Sequence, residues 1–82
     1  MNADSIRQMI ETGFEKAGLP GARADVQGED GVHFEATVVS EAFAGKLPLA
    51  RHRMVYATLG EKMGCEIHAL QLRTVTPAEA AA

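Results

Sequence analysis

Three histidines and a single cysteine are the side chains in this chain best suited to hold a transition metal. Cys65 and His68 stand closest together, three residues apart. In a strand that spacing sends two side chains to opposite faces, so both reach one metal only if Cys65 still belongs to the turn at Gly64. Two donors also fall short of the four that close a structural zinc site, and a self-contained metal centre is not expected. His68 itself has two readings. One is a partly buried histidine at a strand end, hydrogen-bonded to a carbonyl. The other is an imidazole held on a rigid strand and offered to a cluster carried mostly by another protein; histidine in place of thiolate raises an iron–sulfur potential. His33 follows the Asp30-Gly31 turn and reads as a solvated strand histidine. Cys65 reads as a small turn residue with nothing nearby in sequence to lower its thiol pKa.

A second chemistry is electrostatic. Lys46, Arg51 and Arg53, with His52 between the arginines, fall within eight residues and have no acid among them. The plain reading is a solvated helix face. Cations in a first helical turn oppose the helix dipole, however, which argues for a partner carboxylate or phosphate. The chain as a whole has 8 Lys and Arg against 11 Asp and Glu, a net charge of −3, and only 5% aromatic residues. Strong phosphate neutralisation and base stacking are therefore poorly supported. Catalysis is not expected. Ser40 lacks a base at triad-like spacing, no glycine-rich loop precedes a Lys-Ser/Thr pair, and a domain this small has little room for a deep pocket. Gly18-Leu19-Pro20-Gly21 spells GxxG, but it lies between a helix and a strand and has no flanking base, so chance accounts for it.

The elements that must position these groups can be read from periodicity. Ile6, Met9, Ile10, Phe14 and Ala17 form one stripe of a helix over 5–17, with Ser5 and Gln8 spelling a capping box and Gly18 closing the end. Alternation predicts two strands, 22–27 and 33–38, joined as an antiparallel hairpin through Gly28-Glu29-Asp30-Gly31. Residues 40–48 read as a loop with a turn of 3₁₀ helix, tucked against the core by Phe43. A second helix is predicted over about 49–63, with Val55, Leu59 and Met63 inward and Gly64 ending it. A strand over Glu66–Thr74 follows, with His68, Leu70 and Leu72 on one face. Thr76-Pro77-Ala78-Glu79 opens a short terminal helix, with 78–82 expected to fray outside an ordered core of about 5–77. The expected fold is α+β in the order α-β-β-α-β-α: a three-stranded mixed sheet with helices on one face. At 82 residues the chain makes one domain, spanning 1–82. It has no apolar run long enough to cross a membrane and no secretory leader, and its lone cysteine fits a reducing cytoplasm.

Three segments carry a resemblance. Val39-Ser40-Glu41-Ala42-Phe43-Ala44-Gly45, Arg51-His52-Arg53-Met54-Val55-Tyr56-Ala57-Thr58-Leu59 and Ile67-His68-Ala69-Leu70, with His33-Phe34 ahead of them, resemble the BolA family in order and spacing. The resemblance spans roughly residues 5–77 and implies a fold similar to class II KH domains. It also implies a non-enzymatic partner of a CGFS-type monothiol glutaredoxin. Such pairs share a 2Fe-2S cluster, with glutathione and the glutaredoxin cysteine as further ligands, and act in cluster trafficking or iron and stress regulation. The family's C-terminal histidine ligand corresponds to His68. The second ligand, usually a Cys or His of the first hairpin loop, has no direct counterpart, since Asp30 stands near that position; His33, Asp30 and Cys65 are the candidates. The short acidic loop resembles the bacterial branch. The alternative the family implies is a DNA-binding transcriptional regulator of stress response and morphology, with weak contacts through Lys46, Arg51, His52 and Arg53. A monomer or weak homodimer is expected.

Overall fold

Asn2, rather than Ser5, starts the first helix. The computed structural model describes every residue of the chain except Glu29, Glu66 and His68. In it α1 spans Ala3–Lys16, and the Asn2 side chain accepts a hydrogen bond from the Ser5 backbone N–H at 2.8 Å. The predicted Ser5–Gln8 capping box does not form: Gln8 donates to Asp4 instead. The helix closes as expected. Leu19 N–H reaches back to the Phe14 carbonyl and Gly18 N–H to that of Glu15, the paired bonds of a Schellman end, with Gly18 at φ 79°.

β1 (Arg23–Gln27) and β2 (His33–Val39) pair antiparallel, and β2 pairs parallel with β3 (Ala69–Val75), so the sheet order is β1-β2-β3 with one mixed junction. α2 (Pro48–Leu59) makes the crossover, with Pro48 in its first turn, and α3 (Pro77–Ala81) ends the chain. This is the α+β order expected from the sequence. The core lies between the helices and one sheet face. Ile6, Ile10 and Phe14 of α1 meet Val55 and Leu59 of α2 over Ala24, Phe34 and Val38. Phe43, in the 3₁₀ turn Glu41–Phe43, inserts among them and meets Phe14 edge-to-face at 5.7 Å. The opposite sheet face carries Asp25, Gln27, Glu35, Gln71 and Arg73 and is polar.

The stretch between α2 and β3 departs from expectation twice. The helix ends at Leu59, and a 3₁₀ turn over Gly60–Lys62 follows, so Gly60 rather than Gly64 is the stop. Gly60 takes φ 54°, which its missing Cβ allows, and returns its N–H to the Tyr56 carbonyl. Met63 still packs against the core, but from a loop. The last strand is described over Ala69–Val75; Glu66 and His68 of the expected strand lie outside the described residues. Ile67, Leu70 and Leu72 all pack toward the core. Ile67 and Leu70 are an odd number apart, so one continuous strand would turn them to opposite faces. Ile67 is tied instead into the turn after α2: its N–H bonds the Lys62 carbonyl, and its carbonyl accepts from Gly64 N–H.

α1 and α2 approach closely at Gly13. A Cβ built there would lie 2.6 Å from Thr58 Cβ and 2.7 Å from Thr58 Cγ2. Alanine normally gains about 1 kcal/mol over glycine in a helix. Overpacking costs about 1–3 kcal/mol, and Thr58 has little freedom to retreat because its hydroxyl donates to the Val55 carbonyl. Gly13→Ala is therefore expected to destabilise by about 1–2 kcal/mol in urea unfolding, against its propensity. Combined with Thr58→Gly, the costs should be strongly non-additive, and simple additivity would contradict the contact.

Candidate functional site

The parallel register of β2 and β3 sets one end of the sheet. His33 opens β2 directly opposite Ala69, which opens β3. The turn that feeds β3 stands at this same end, and an isolated bridge pairs Met63 with Ile67 across it. Cys65 is exposed in that turn, its N–H bonded to the Lys62 carbonyl. His68 precedes Ala69 in sequence and lies outside the described residues, as does Glu29 of the hairpin loop.

Asp30 and His33 form a defined pair. Asp30 Oδ1 accepts the backbone N–H groups of Val32 and His33 at 2.9 and 2.8 Å. Asp30 Oδ2 lies 2.8 Å from His33 Nδ1. Hydrogen bonds from the His33 ring and then from these two amides hold the Asp30 carboxyl far below the usual carboxylate range. An ionised carboxylate only accepts, so Nδ1 is the donor in this pair, and Nε2 is the nitrogen left to meet a metal. Carboxylate–histidine pairs of this kind fix the tautomer of metal ligands. Asp30 thus spends both oxygens on shaping the loop and orienting His33. The Asp-Gly pair flagged a hairpin; it gave no hint that the aspartate would organise the histidine three residues on.

The basic segment separates into two parts. Arg51 is committed elsewhere: its guanidinium makes a two-pronged contact with Glu79, at 2.7 and 3.1 Å, donates to the carbonyls of Lys46 and Thr74, and lies over the Phe43 ring. Its side chain is only 13% exposed. Lys46 and Arg53 are exposed, and His52 is half-buried with an edge contact to Tyr56. The Thr76–Glu79 signature, read simply as a helix start, is a reciprocal capping box whose glutamate also closes on Arg51. The Arg51 hydrogen bond, then the Thr76 amide, draw the Glu79 carboxyl down from 4.5 to about 2. A depressed acid stabilises the fold fully above its unfolded pKa and loses that contribution as pH falls. The stability gap between wild type and Glu79→Gln should therefore be full above pH 4.5 and shrink toward pH 2. Urea midpoints at several pH values measure it, and a gap that does not change with pH would contradict the pairing.

No group of three or more His, Cys, Asp or Glu side chains among the described residues converges on one metal-sized point. The groove between α1 and α2 is lined by Met9, Leu19, Met54 and Ala57 and contributes no histidine, cysteine or carboxylate. One feature had no sequence signal as a site. Leu47, Leu49 and Tyr56 are large apolar side chains left exposed beside Lys46 and Arg53.

Comparisons with known proteins agree with this architecture. The family model for BolA-like protein matches residues 13–79. The chain is 42% identical over 79 residues to the DNA-binding transcriptional regulator BolA of Escherichia coli (strain K12), covering 87% of this chain and 75% of that one. A bolA protein homologue from Coxiella burnetii matches with a TM-score of 0.84 and 42% identity, over 100% of this chain and 99% of its own. The solution structure of the XC975 protein is 70% identical, with a TM-score of 0.62 over 96% of this chain and 92% of its own. For the first curated relatives, the chain spans less than half of the relative's own length.

Proposed function

Because the chain belongs to the BolA-like family, we propose that it is a non-enzymatic partner of a CGFS-type monothiol glutaredoxin, sharing a 2Fe-2S cluster with it and with glutathione. His68 is this chain's first ligand and His33 its second, through Nε2. The observation that carries the reading is the Asp30–His33 pair at the sheet end where Ala69, the residue after His68, opens β3. The donor chemistry fits a shared cluster. Imidazole is a known substitute for thiolate on a 2Fe-2S centre, and with two imidazoles from this chain the other two of the four ligands come from the glutaredoxin cysteine and glutathione. Asp30 acts through His33 rather than on iron, since carboxylate is a hard ligand and its oxygens already accept hydrogen bonds. The bound cluster supplies a transferable iron–sulfur unit; the chain orients its imidazoles toward it. Such a role belongs in the reducing cytoplasm, in cluster trafficking or iron and stress regulation.

Anaerobic co-reconstitution with a monothiol glutaredoxin tests this. The visible circular dichroism of the complex should change for His68→Ala and for His33→Ala and stay the same for Cys65→Ser. Spectra indifferent to both histidines would remove the proposal.

A DNA contact is the second reading, favoured by the name of the Escherichia coli relative and by an acid-free stretch with exposed cations. Lys46, His52 and Arg53 are its contact set, because Arg51 is held by Glu79. Each phosphate contact contributes a salt slope of about −0.9. Arg53→Ala should reduce the slope for duplex binding by about one, and an unaltered slope would end this reading.

A further inference from the structure

α2 uses its inward stripe fully. Val55 and Leu59 are buried in the core, with Met54 packed beside them. Its outward stripe is also apolar. Leu49, Arg53 and Tyr56 follow one another at i, i+4 and i+7, with Leu47 and Lys46 just ahead of the helix. Leu47 is 78% and Leu49 63% exposed, the highest values among the exposed large apolar side chains described. The fold gains nothing from them there. The electrostatics of the same stretch are one-sided. Between Glu41 and Glu61 there is no acid, while Lys46, Arg51 and Arg53 supply three of the eight cations of a chain whose net charge is −3. Arg51 is satisfied within the molecule by Glu79. Lys46, just ahead of the helix, and Arg53, between Leu49 and Tyr56, remain exposed.

We infer that this outer face of α2 docks an acidic amphipathic helix of a partner protein, its apolar side chains covering Leu47, Leu49 and Tyr56 and its carboxylates meeting Lys46 and Arg53. Two helical turns, about 10 Å, separate Leu49 from Tyr56, a span that a short helix covers. A face of exposed leucines and a tyrosine interleaved with an arginine and flanked by a lysine has the make-up of a protein interface, where aromatic residues and Arg are enriched. A face built for phosphates would have no use for exposed leucines, and its best arginine would not be tied to a glutamate. The face begins at the Val75 end of the sheet, where Arg51 reaches the Thr74 carbonyl. Its N-terminal anchor is thus at the opposite pole from His33 and Ala69. The inference stands apart from the cluster reading, and either holds without the other.

Two synthetic peptides of about four helical turns, each with leucines at i, i+4 and i+7, one flanked by glutamates and the other by lysines, provide the test. Each is titrated into the isotope-labelled full chain at about 0.15 M salt, near the Debye length of 8 Å at which surface charges still act. The acidic peptide should bind saturably and shift amide signals from Lys46 to Tyr56. Leu49→Asp should weaken it by at least about tenfold, and Arg53→Glu should reverse the preference toward the lysine peptide. Both side chains are exposed, so both variants should keep the wild-type unfolding midpoint. Three results would overturn the inference: equal binding of both peptides or of neither; displacement of the acidic peptide by a short DNA duplex at the same salt; or self-association of the chain that Leu49→Asp abolishes.

Discussion

Phe43→Ala is expected to cost about 3–5 kcal/mol, the usual toll for emptying a buried phenylalanine site. A domain of this length has roughly 4–12 kcal/mol of stability in all, so the variant should stand at the edge of unfolding. Phe43 belongs to neither a long helix nor a strand. It sits in a single 3₁₀ turn, yet it is fully buried, meets Phe14 of α1 edge-to-face, and lies beneath the Arg51 guanidinium. One ring thus ties the connection after β2 to α1, to α2 and, through Arg51 and Glu79, to α3. Urea unfolding followed by far-ultraviolet circular dichroism measures the loss. Phe43→Leu keeps much of the volume and should cost less than about 2 kcal/mol. An alanine variant within about 1 kcal/mol of wild type would show that the turn is peripheral to the core.

Gly28→Ala is the second large effect, expected to cost about 2–3 kcal/mol. Replacing a loop glycine with alanine usually stabilises by about 0.4–1 kcal/mol, because it restricts the unfolded chain. Here the added Cβ would collide with the Phe34 ring and stand 2.8 Å from the His33 carbonyl oxygen. Phe34 is a core residue with no space to withdraw, and the carbonyl is backbone in β2. Relief has to come from the hairpin moving, which disturbs the Asp30 contacts to His33. The variant should therefore show a lower urea midpoint together with shifted His33 ring resonances. A raised midpoint would mean the loop is looser than its contacts indicate.

Periodicity carried most of the fold. The stripe of Ile6, Ile10 and Phe14 and the alternation of Phe34, Ala36 and Val38 each report a buried face directly, and burial is what drives those elements together. Two boundaries were less legible. Met63 keeps helical spacing from Leu59, which drew the second helix past Gly60; its contact with the core is made from a loop instead. Ile67 looked like part of a strand, but its backbone bonds run back to Lys62 and Gly64 in the turn after α2. Local pattern does not distinguish an apolar residue buried by its element from one buried by tertiary folding. The candidate site divided in the same way. His33, Asp30 and Cys65 were legible as donors by type alone. The Asp30–His33 hydrogen bond and the Arg51–Glu79 pair were not, because each depends on where a side chain points, and the second joins residues 28 positions apart. His68 rests on its motif, since it lies outside the described residues.

Pulsed electron paramagnetic resonance on the reduced heterocomplex, with this chain alone labelled with ¹⁵N-histidine, asks most directly whether its imidazoles touch iron. The account predicts a nitrogen coupling that follows the isotope and diminishes in His68→Ala. A cluster signal with no nitrogen coupling from this chain, or one indifferent to the loss of His68, would contradict it.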